Sequence, residues 1–424
     1  MTTAMLSKEA TMTDLRGRYF VEATVEAGPA NRADAIVFTP FDGRQLLWHA
    51  GNDTPFHPLS LEVFEIDEDG QPVRQVPAQL DEGVLTWIAQ GELAAGGRRR
   101  YRIGFDGQDA PAMQSLGKPV FRDRVIVTDL GKELLVSQNT TELGRYRYRD
   151  VWKPFFYPLN GPHGSVVRGI ESEHPHQHGL YLSYGGEDCL GVNIWSEVGT
   201  VRPPLGPAGK MLHDTFEWIE YGWVYGQFRQ RLTYVKPDGH PFARELRTVR
   251  FYAPTADIRI VDWTVRLEEP ADTGQRRVAL ACRVANSMRV RDQTQKSDDG
   301  MMGALREKPG RIENSAGGVG ELASRGGAFN WLDFSGPVEE GWNGIALFDH
   351  PDNPGPGAFS CREYGVFTVG RSYPTDRTAR SGAALFRYRA YIHAGDATQG
   401  RVACAYEDYA HPCRVVLATE IGQQ

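Results

Sequence analysis

Cysteine is scarce in this 424-residue chain: there are five, at 189, 282, 361, 404 and 413, with no CxxC pair. An odd, scattered set argues against a disulfide framework and against a cysteine-built structural zinc site, and it fits a reducing compartment. A basic excess is also missing. Lys and Arg total 47 against 54 Asp and Glu, a formal charge of −7, which argues against nucleic acid as a partner. The one dense basic run, Arg98-Arg-Arg-Tyr-Arg102, reads as an exposed strand edge. No run approaches the roughly 20 apolar residues needed to span a bilayer. Met1 to Arg16 carries Lys8, Glu9 and Asp14 and no apolar core, so it does not read as a signal peptide. The expectation is a soluble, cytoplasmic protein without a membrane partner. A GxSxG elbow, HExxH, a phosphate-binding glycine loop and GxGxxG after a strand are all absent, which moves nucleotide cofactors and the common hydrolase triads out of the front rank.

Helical periodicity beyond three turns is absent too. In its place, 47 glycines and 26 prolines punctuate short runs rich in Val, Ile, Tyr, Phe and Thr, such as Arg124-Val-Ile-Val-Thr128 and Arg259-Ile-Val-Asp-Trp-Thr-Val-Arg266. That pattern predicts an all-β protein with helix confined to short pieces. One hairpin is nearly explicit: Phe228 to Val235 alternates, Pro237-Asp-Gly239 turns, and Phe242 to Tyr252 alternates back. Its returning strand carries Glu245, Arg247 and Arg250, which on a sheet solvated on one side would be surface charges.

The length suggests two domains. Residues 1–17 are expected to be disordered, 18–120 to form an immunoglobulin-like sandwich whose strands end at 105 and give way to a polar linker at 106–115, and 121–424 to form a larger β-sandwich. A loose stretch at 290–328, rich in Gly, Asp, Lys, Ser and Met, is expected to be a flexible insertion or a lid.

Four of the eleven histidines lie within sixteen residues: His163, then His174, His176 and His178 in Glu173-His-Pro-His-Gln-His-Gly179. In an extended segment alternate side chains share a face, so three imidazoles would converge. They suit three roles: ligands for a divalent metal, proton-transfer groups near neutral pH, or satisfied polar residues on a strand. Further along, His213 starts another strand, and an apolar strand ends abruptly at Asp349-His350 before Pro351-Asp-Asn353-Pro. Arg362, followed by Glu363 and Tyr364, could clamp a carboxylate or sugar hydroxyls, or form a structural ion pair with an acid. Aromatic residues near these segments, Trp195 among them, would suit stacking against a pyranose.

Taken in order, the segments Lys153-Pro-Phe-Phe-Tyr-Pro-Leu-Asn-Gly-Pro-His-Gly164, Glu173 to Leu180, Gly191-Val-Asn-Ile-Trp-Ser-Glu197, Gly209-Lys-Met-Leu-His213, Trp331 to Pro337, Gly344 to Pro354 and Arg362-Glu-Tyr-Gly365 resemble the PmoA-like family of soluble β-proteins, carried in domain collections as "methane oxygenase". The resemblance spans about residues 124 to 410. Where the family strip resembles Asp-His-Pro-His-His-Arg/Lys-Gly, this chain has Glu173 for Asp, Gln177 for a histidine and His178 for a basic residue. A Trp-His pair usual before Arg362 is Phe359-Ser360.

The resemblance implies a supersandwich similar to that of galactose mutarotases and a setting in carbohydrate catabolism. The expected activity is cleavage or rearrangement of a glycoside or an oxidised, keto sugar by histidine acid/base chemistry. In that scheme His174 or His176 is the general acid, His350 or Glu245 the base, and His213 a further catalytic residue. His163, Trp195, Asn353, Arg362 and Tyr364 bind the sugar, and His174, His176 and His178 hold a divalent metal if one takes part. A non-catalytic carbohydrate-binding protein and a metal-dependent oxygenase are the alternatives.

Overall fold

A computed structural model of the chain describes residues 19–108, 123–171, 174–184, 192–197, 207–268, 275–292, 307–354, 357–374 and 384–423. The protein is all-β: strand makes up 59% of the described residues, and the described α-helices are three short pieces at Gly43–His49 (α1), Glu321–Ser324 (α2) and Val402–Ala410 (α3). Among the described residues no helix is long and apolar enough to cross a membrane.

The chain forms two compact units, one of residues 1–123 with 411–424 and one of residues 124–410. In the first, a five-stranded antiparallel sheet runs in the order Arg414–Gln423 (β25), Tyr19–Glu26 (β1), Arg98–Phe105 (β7), Glu62–Ile66 (β3), Pro72–Val76 (β4). A three-stranded sheet is made of Arg32–Pro40 (β2), Val84–Leu93 (β6) and Ala78–Asp81 (β5). Strict alternation in β1 buries Tyr19, Val21, Ala23 and Val25 against Val37, Trp87, Tyr101 and Ile103. Two expectations are corrected here. The C-terminal strand β25 pairs with β1, so the last fourteen residues leave the larger domain expected at 121–424 and complete the first unit. The run Arg98 to Arg102 is no edge: β7 lies between β1 and β3, and Arg100 and Arg102 reach Glu22 at 2.7 and 3.0 Å. Opposite charges on neighbouring strands make a basic run tolerable inside a sheet.

The second unit is a sandwich of two large antiparallel sheets. One has the order Gly357–Arg362 (β22), Val366–Pro374 (β23), Gln275–Arg283 (β18), Leu180–Tyr184 (β13), Phe155–Gly161 (β11), Thr141–Arg147 (β10), Glu133–Gln138 (β9), Val125–Asp129 (β8), with Gly164–Ser165 (β12) paired to β11. The other runs Lys210–Glu220 (β14), Tyr225–Val235 (β15), Pro241–Thr255 (β16), Ile258–Glu268 (β17), Ala384–Ala394 (β24), Gly341–Asp349 (β21), Trp331–Val338 (β20), Arg311–Asn314 (β19). Their facing sides bury Phe156, Leu180, Leu182, Leu280, Cys282 and Phe367 against Val249, Phe251, Trp263, Ile345, Leu347 and Tyr388.

The predicted hairpin is β15 and β16, in register from Tyr225 opposite Tyr252 to Tyr234 opposite Ala243, with a shift before Val235 opposite Pro241. Two of its three returning charges are not on the surface: Glu245 and Arg247 are 2% and 0% exposed, while Arg250 on the other strand face is half-buried. They occupy the same strand face as Ala243, Val249 and Phe251, which turns into the core. Of the loose stretch expected at 290–328, residues 293–306 lie outside the described residues. From Arg311 onward it is ordered as β19 and α2, not a flexible lid. The expected disordered N-terminus at 1–17 and most of the expected linker at 106–115 also lie outside the described residues.

Candidate functional site

On the side of the β22–β8 sheet turned away from the sandwich core, one row of residues runs across five strands: Arg147 opposite Phe155, Phe155 opposite Tyr181, Tyr181 opposite Ala281, Ala281 opposite Thr368. Arg283 follows two residues along β18 on the same face. An outer sheet face would ordinarily be solvated, yet Phe155, Tyr181, Ala281 and Arg283 are all fully buried. The segments around Lys153, His174 to Gly179 and Val192 to Glu197 cover them, with Val151, Tyr157 and Trp195 packed against Phe155 and Tyr181.

The histidine segment is a turn, not the extended strip that period-two spacing predicts. His174 takes a left-handed φ of 54°, and the Gln177 amide donates to the His174 carbonyl at 2.9 Å. Gly179 has φ 64°, and its amide donates to the Arg168 carbonyl at 2.7 Å. A Cβ there would stand 2.1 Å from the Phe156 carbonyl oxygen, so only glycine lets the chain leave the turn and enter β13. The turn sends its histidines to two levels. His174 and His176 remain partly exposed, their ring centres 5.7 Å apart, with Tyr364 stacked on His174 at 5.5 Å. The Arg283 guanidinium lies 4.6 Å from the centre of the Tyr364 ring and donates to Gln177 Oε1 at 3.4 Å. His178 turns inward, 1% exposed, with its ring 4.1 Å from that of Phe155.

A convergent triad of metal-binding imidazoles is therefore not what the turn makes. Among the described residues no group of three or more His, Cys, Asp or Glu is placed to hold a metal ion. Glu173 lies outside the described residues.

Beneath the pair, Lys153, 1% exposed, donates to the Trp195 carbonyl at 2.7 Å and stands 3.6 Å from Glu197 Oε1 and 4.7 Å from the Tyr181 ring centre. Trp195 packs on Tyr181 at 5.8 Å. Burial pulls the Lys153 ammonium down to about 8 against the opposing pull of Glu197, and burial raises the Glu197 carboxyl. Burial, then the charges of Lys153, His174 and Arg283, bring His176 down to about 4. Burial and Lys153 take His178 to about 3. Both rings are neutral at pH 7. The Tyr181 hydroxyl, the His176 Nδ1 and the Ser183 Oγ are buried polar atoms with no hydrogen-bond partner among the described residues, a concentration that structural packing avoids.

The other predicted site residues do not join this cluster. His213 faces the inner side of β14, between Tyr148 at 4.5 Å and Phe216 at 4.6 Å, and accepts a hydrogen bond from Gln230 Nε2 at 2.8 Å. Glu245 is clamped in the core, where Arg247 Nε donates to it at 2.5 Å and the Tyr234 hydroxyl at 2.5 Å. It cannot serve as a base for a ligand on the outer face. His350 follows β21 in the opposite sheet and lies edge-on to Tyr409 of α3 at 5.0 Å. Asn353 ties its own loop, donating to Asp349 Oδ1 and the Arg387 carbonyl, each at 2.8 Å. His163 sits in the β11–β12 turn, its amide donating to Asn343 Oδ1 at 3.3 Å. Arg362 does lie on the outer face of the same sheet but pairs with Glu321 at 3.3 Å, the structural alternative.

Of the predicted residues, then, His174, His176, His178, Trp195 and Tyr364 are brought together. Lys153, Tyr181, Glu197 and Arg283 were not foreseen. Lys153 and Glu197 do terminate two of the segments that carry the family resemblance, which was the available signal.

A family model described as a family of unknown function, DUF6807, matches residues 133–407, most of the chain. The chain belongs to that family. No curated protein matches it. The matched span contains every residue of the cluster and every strand of the larger sandwich except Val125–Asp129 (β8).

Proposed function

For this member of the DUF6807 family we propose a carbohydrate-active enzyme that cleaves or rearranges a keto sugar or keto glycoside by imidazole acid/base chemistry, with His176 as the reacting group. The supporting observation is the state of His176: a neutral imidazole beside His174, above a floor holding Lys153 and Arg283, with Nδ1 buried and without a partner among the described residues. A keto group acidifies the neighbouring C–H. The neutral ring can take that proton, and the electron pair it leaves behind is accommodated as an enolate beside Lys153 and Arg283. The imidazolium so formed is a strong acid at this site. It returns its proton to the departing glycosidic oxygen; in an epimerisation it keeps that proton while a water molecule delivers one to the opposite face of the carbon. No paired carboxylates of ordinary glycosidase spacing are required. Trp195, Tyr364 and His174 supply ring surface for the sugar. The resemblance to PmoA-like proteins, with its setting in carbohydrate catabolism, supports the same substrate class. The described donor set does not fit a metal centre, so no step is assigned to one.

The test uses aryl keto-glycosides and follows aglycone release. His176→Ala should lower kcat by about 10²- to 10⁴-fold, the usual worth of a positioned proton-transfer group. Undiminished turnover in that variant would overturn the assignment. Sugar binding by wild type with no turnover of any keto or ordinary glycoside would replace it with a carbohydrate-binding role.

A further inference from the structure

The outer sheet face that carries the histidine turn continues past it as a shelf of small residues. Tyr181 on β13 is followed across β18 and β23 by Ala281 and Thr368, and one step further along the strands Ser183 is followed by Ala279 and Gly370. The intervening Leu182, Leu280 and Val369 point into the core, so these side chains point outward. Strand spacing makes the shelf roughly 10 Å by 7 Å. A face that met only water would carry long polar side chains, and beyond Tyr181 this one carries none. Burial changes across it: Thr368 and Gly370 are partly exposed, Ala279 and Ala281 are buried, and Ser183 is 2% exposed, so the shelf is open at β23 and closed at β13. At the closed end the Ser183 Oγ and the Tyr181 hydroxyl are buried and have no hydrogen-bond partner among the described residues. Leaving hydroxyls in that state is costly unless a ligand meets them. Arg283, whose amide donates to the Gly179 carbonyl at 2.9 Å, heads the shelf, and Tyr364 over its guanidinium joins it to His174.

We infer that this shelf is a second sugar subsite, which holds the departing ring of a disaccharide while the keto ring lies against His176. The inference rests on the proposed reaction for what occupies the histidine pair, and it narrows the substrates from glycosides at large to those whose leaving group is itself an uncharged sugar. Three features of the shelf select that occupant. None of its side chains is charged, so a carboxylate or phosphate on the departing ring would find no counter-ion there. Beyond Tyr181 none is aromatic, so an aryl leaving group would gain no ring stacking from the floor. The methyl groups of Ala279, Ala281 and Thr368 make a low apolar surface for the C–H face of a pyranose, and the hydroxyls of Ser183, Tyr181 and Thr368 stand around it to meet hydroxyls on the ring's edge. The shelf adjoins the histidine pair, so a ring lying on it is one glycosidic bond away from a ring at His176. Ser183 and Thr368 thus determine specificity and take no part in the proton transfers.

The test is titration calorimetry of the full chain with cellobiose, maltose and the methyl and phenyl glucosides, followed by turnover of their keto forms. At least one disaccharide should bind about tenfold more tightly than either methyl glucoside. Thr368→Trp, which fills the open side of the shelf from a partly exposed position, should abolish that difference and leave the methyl glucosides and the turnover of their keto forms as in wild type. Ser183→Ala should weaken the disaccharide about two- to tenfold, the worth of one hydrogen bond, and should melt no lower than wild type because the hydroxyl it removes bonds nothing in the free protein. Disaccharides bound no better than methyl glucosides, or bound equally well by Thr368→Trp, would overturn the subsite. So would a phenyl glucoside that outbinds both disaccharides, since the occupant would then be an aromatic aglycone, and so would a Ser183→Ala protein that melts lower with its affinity unchanged. Turnover of keto glycosides that depends on His176 but ignores the second ring would sink the subsite and keep the reaction. Disaccharide binding that Thr368→Trp abolishes, in a protein that turns over none of the keto forms, would keep the subsite and sink the reaction.

Discussion

Replacing Glu245 should damage the fold and spare the chemistry, the reverse of what a catalytic base would do. Arg247, fully buried, gives Glu245 two hydrogen bonds at 2.5 and 3.0 Å and donates a third to the Tyr146 hydroxyl at 2.7 Å, while its guanidinium stands 5.0 Å from the centre of the Trp263 ring. Tyr146 passes its own proton to Gln230 Oε1 at 2.6 Å, and Gln230 in turn reaches His213. Glu245→Gln keeps the shape but removes the only described carboxylate that bonds this guanidinium. An uncompensated buried charge costs about 3–5 kcal/mol. Glu245→Leu with Arg247→Met removes both charges and leaves chiefly the Tyr234 hydroxyl without its acceptor, a cost of about 1–3 kcal/mol, so the double variant should be more stable than the single one. Hydrogen exchange of peptides spanning β15 and β16 through a urea series isolates this unit's unfolding. A loss below about 1 kcal/mol for Glu245→Gln, or a double variant less stable than the single one, would refute the reasoning. So would a large fall in turnover per folded molecule, because Glu245 faces the core and the histidine pair lies on the outer face of the other sheet.

Other outcomes follow from the same geometry. Gly179→Ala should cost more than the ~1–2 kcal/mol of a left-handed alanine, because its Cβ would lie 2.1 Å from the Phe156 carbonyl oxygen; thermal unfolding together with Trp195 fluorescence would show the turn released. Gly344→Ala should lower the melting temperature by several degrees, since a Cβ would stand 2.2 Å from the ring of His393, which is fixed by Asp333 at 2.8 Å. In His178, held at about 3 in the fold against an ordinary value of 6.5, the unfolded chain binds the proton more readily. Its contribution to stability is therefore complete above about pH 6.5 and is lost as pH falls from there towards 3. Urea midpoints measured across that window should fall with decreasing pH, and His178→Gln should flatten the slope by about one proton; an unchanged slope would mean His178 is already protonated in the fold.

The strands and the hairpin were legible because glycine, proline and alternating β-formers act locally. Which face is inside was harder, and Glu245 shows why. Charge argued for solvent, but Glu245 and Arg247 keep phase with Ala243, Val249 and Phe251, and phase decided. A charged pair that satisfies itself can follow its strand into the core, which a residue-by-residue polarity count cannot detect. The histidine segment failed in the opposite sense: its period of two was real, but Pro175 and a left-handed Gly179 convert the stretch into a turn, so spacing no longer measured direction. The strand at Arg414–Gln423 alternates like any other and carries no mark of its partner, which is why its return to β1 went unforeseen. Lys153 and Glu197 had no periodic signal at all. Their place in the cluster depends on three segments, at 151–153, 174–179 and 192–197, closing over one outer row of a sheet whose other side is core, and such a meeting of distant segments is a property of the fold. For this chain local pattern predicts secondary structure, while the chemistry sits where buried polar atoms gather on a face that alternation alone would assign to solvent.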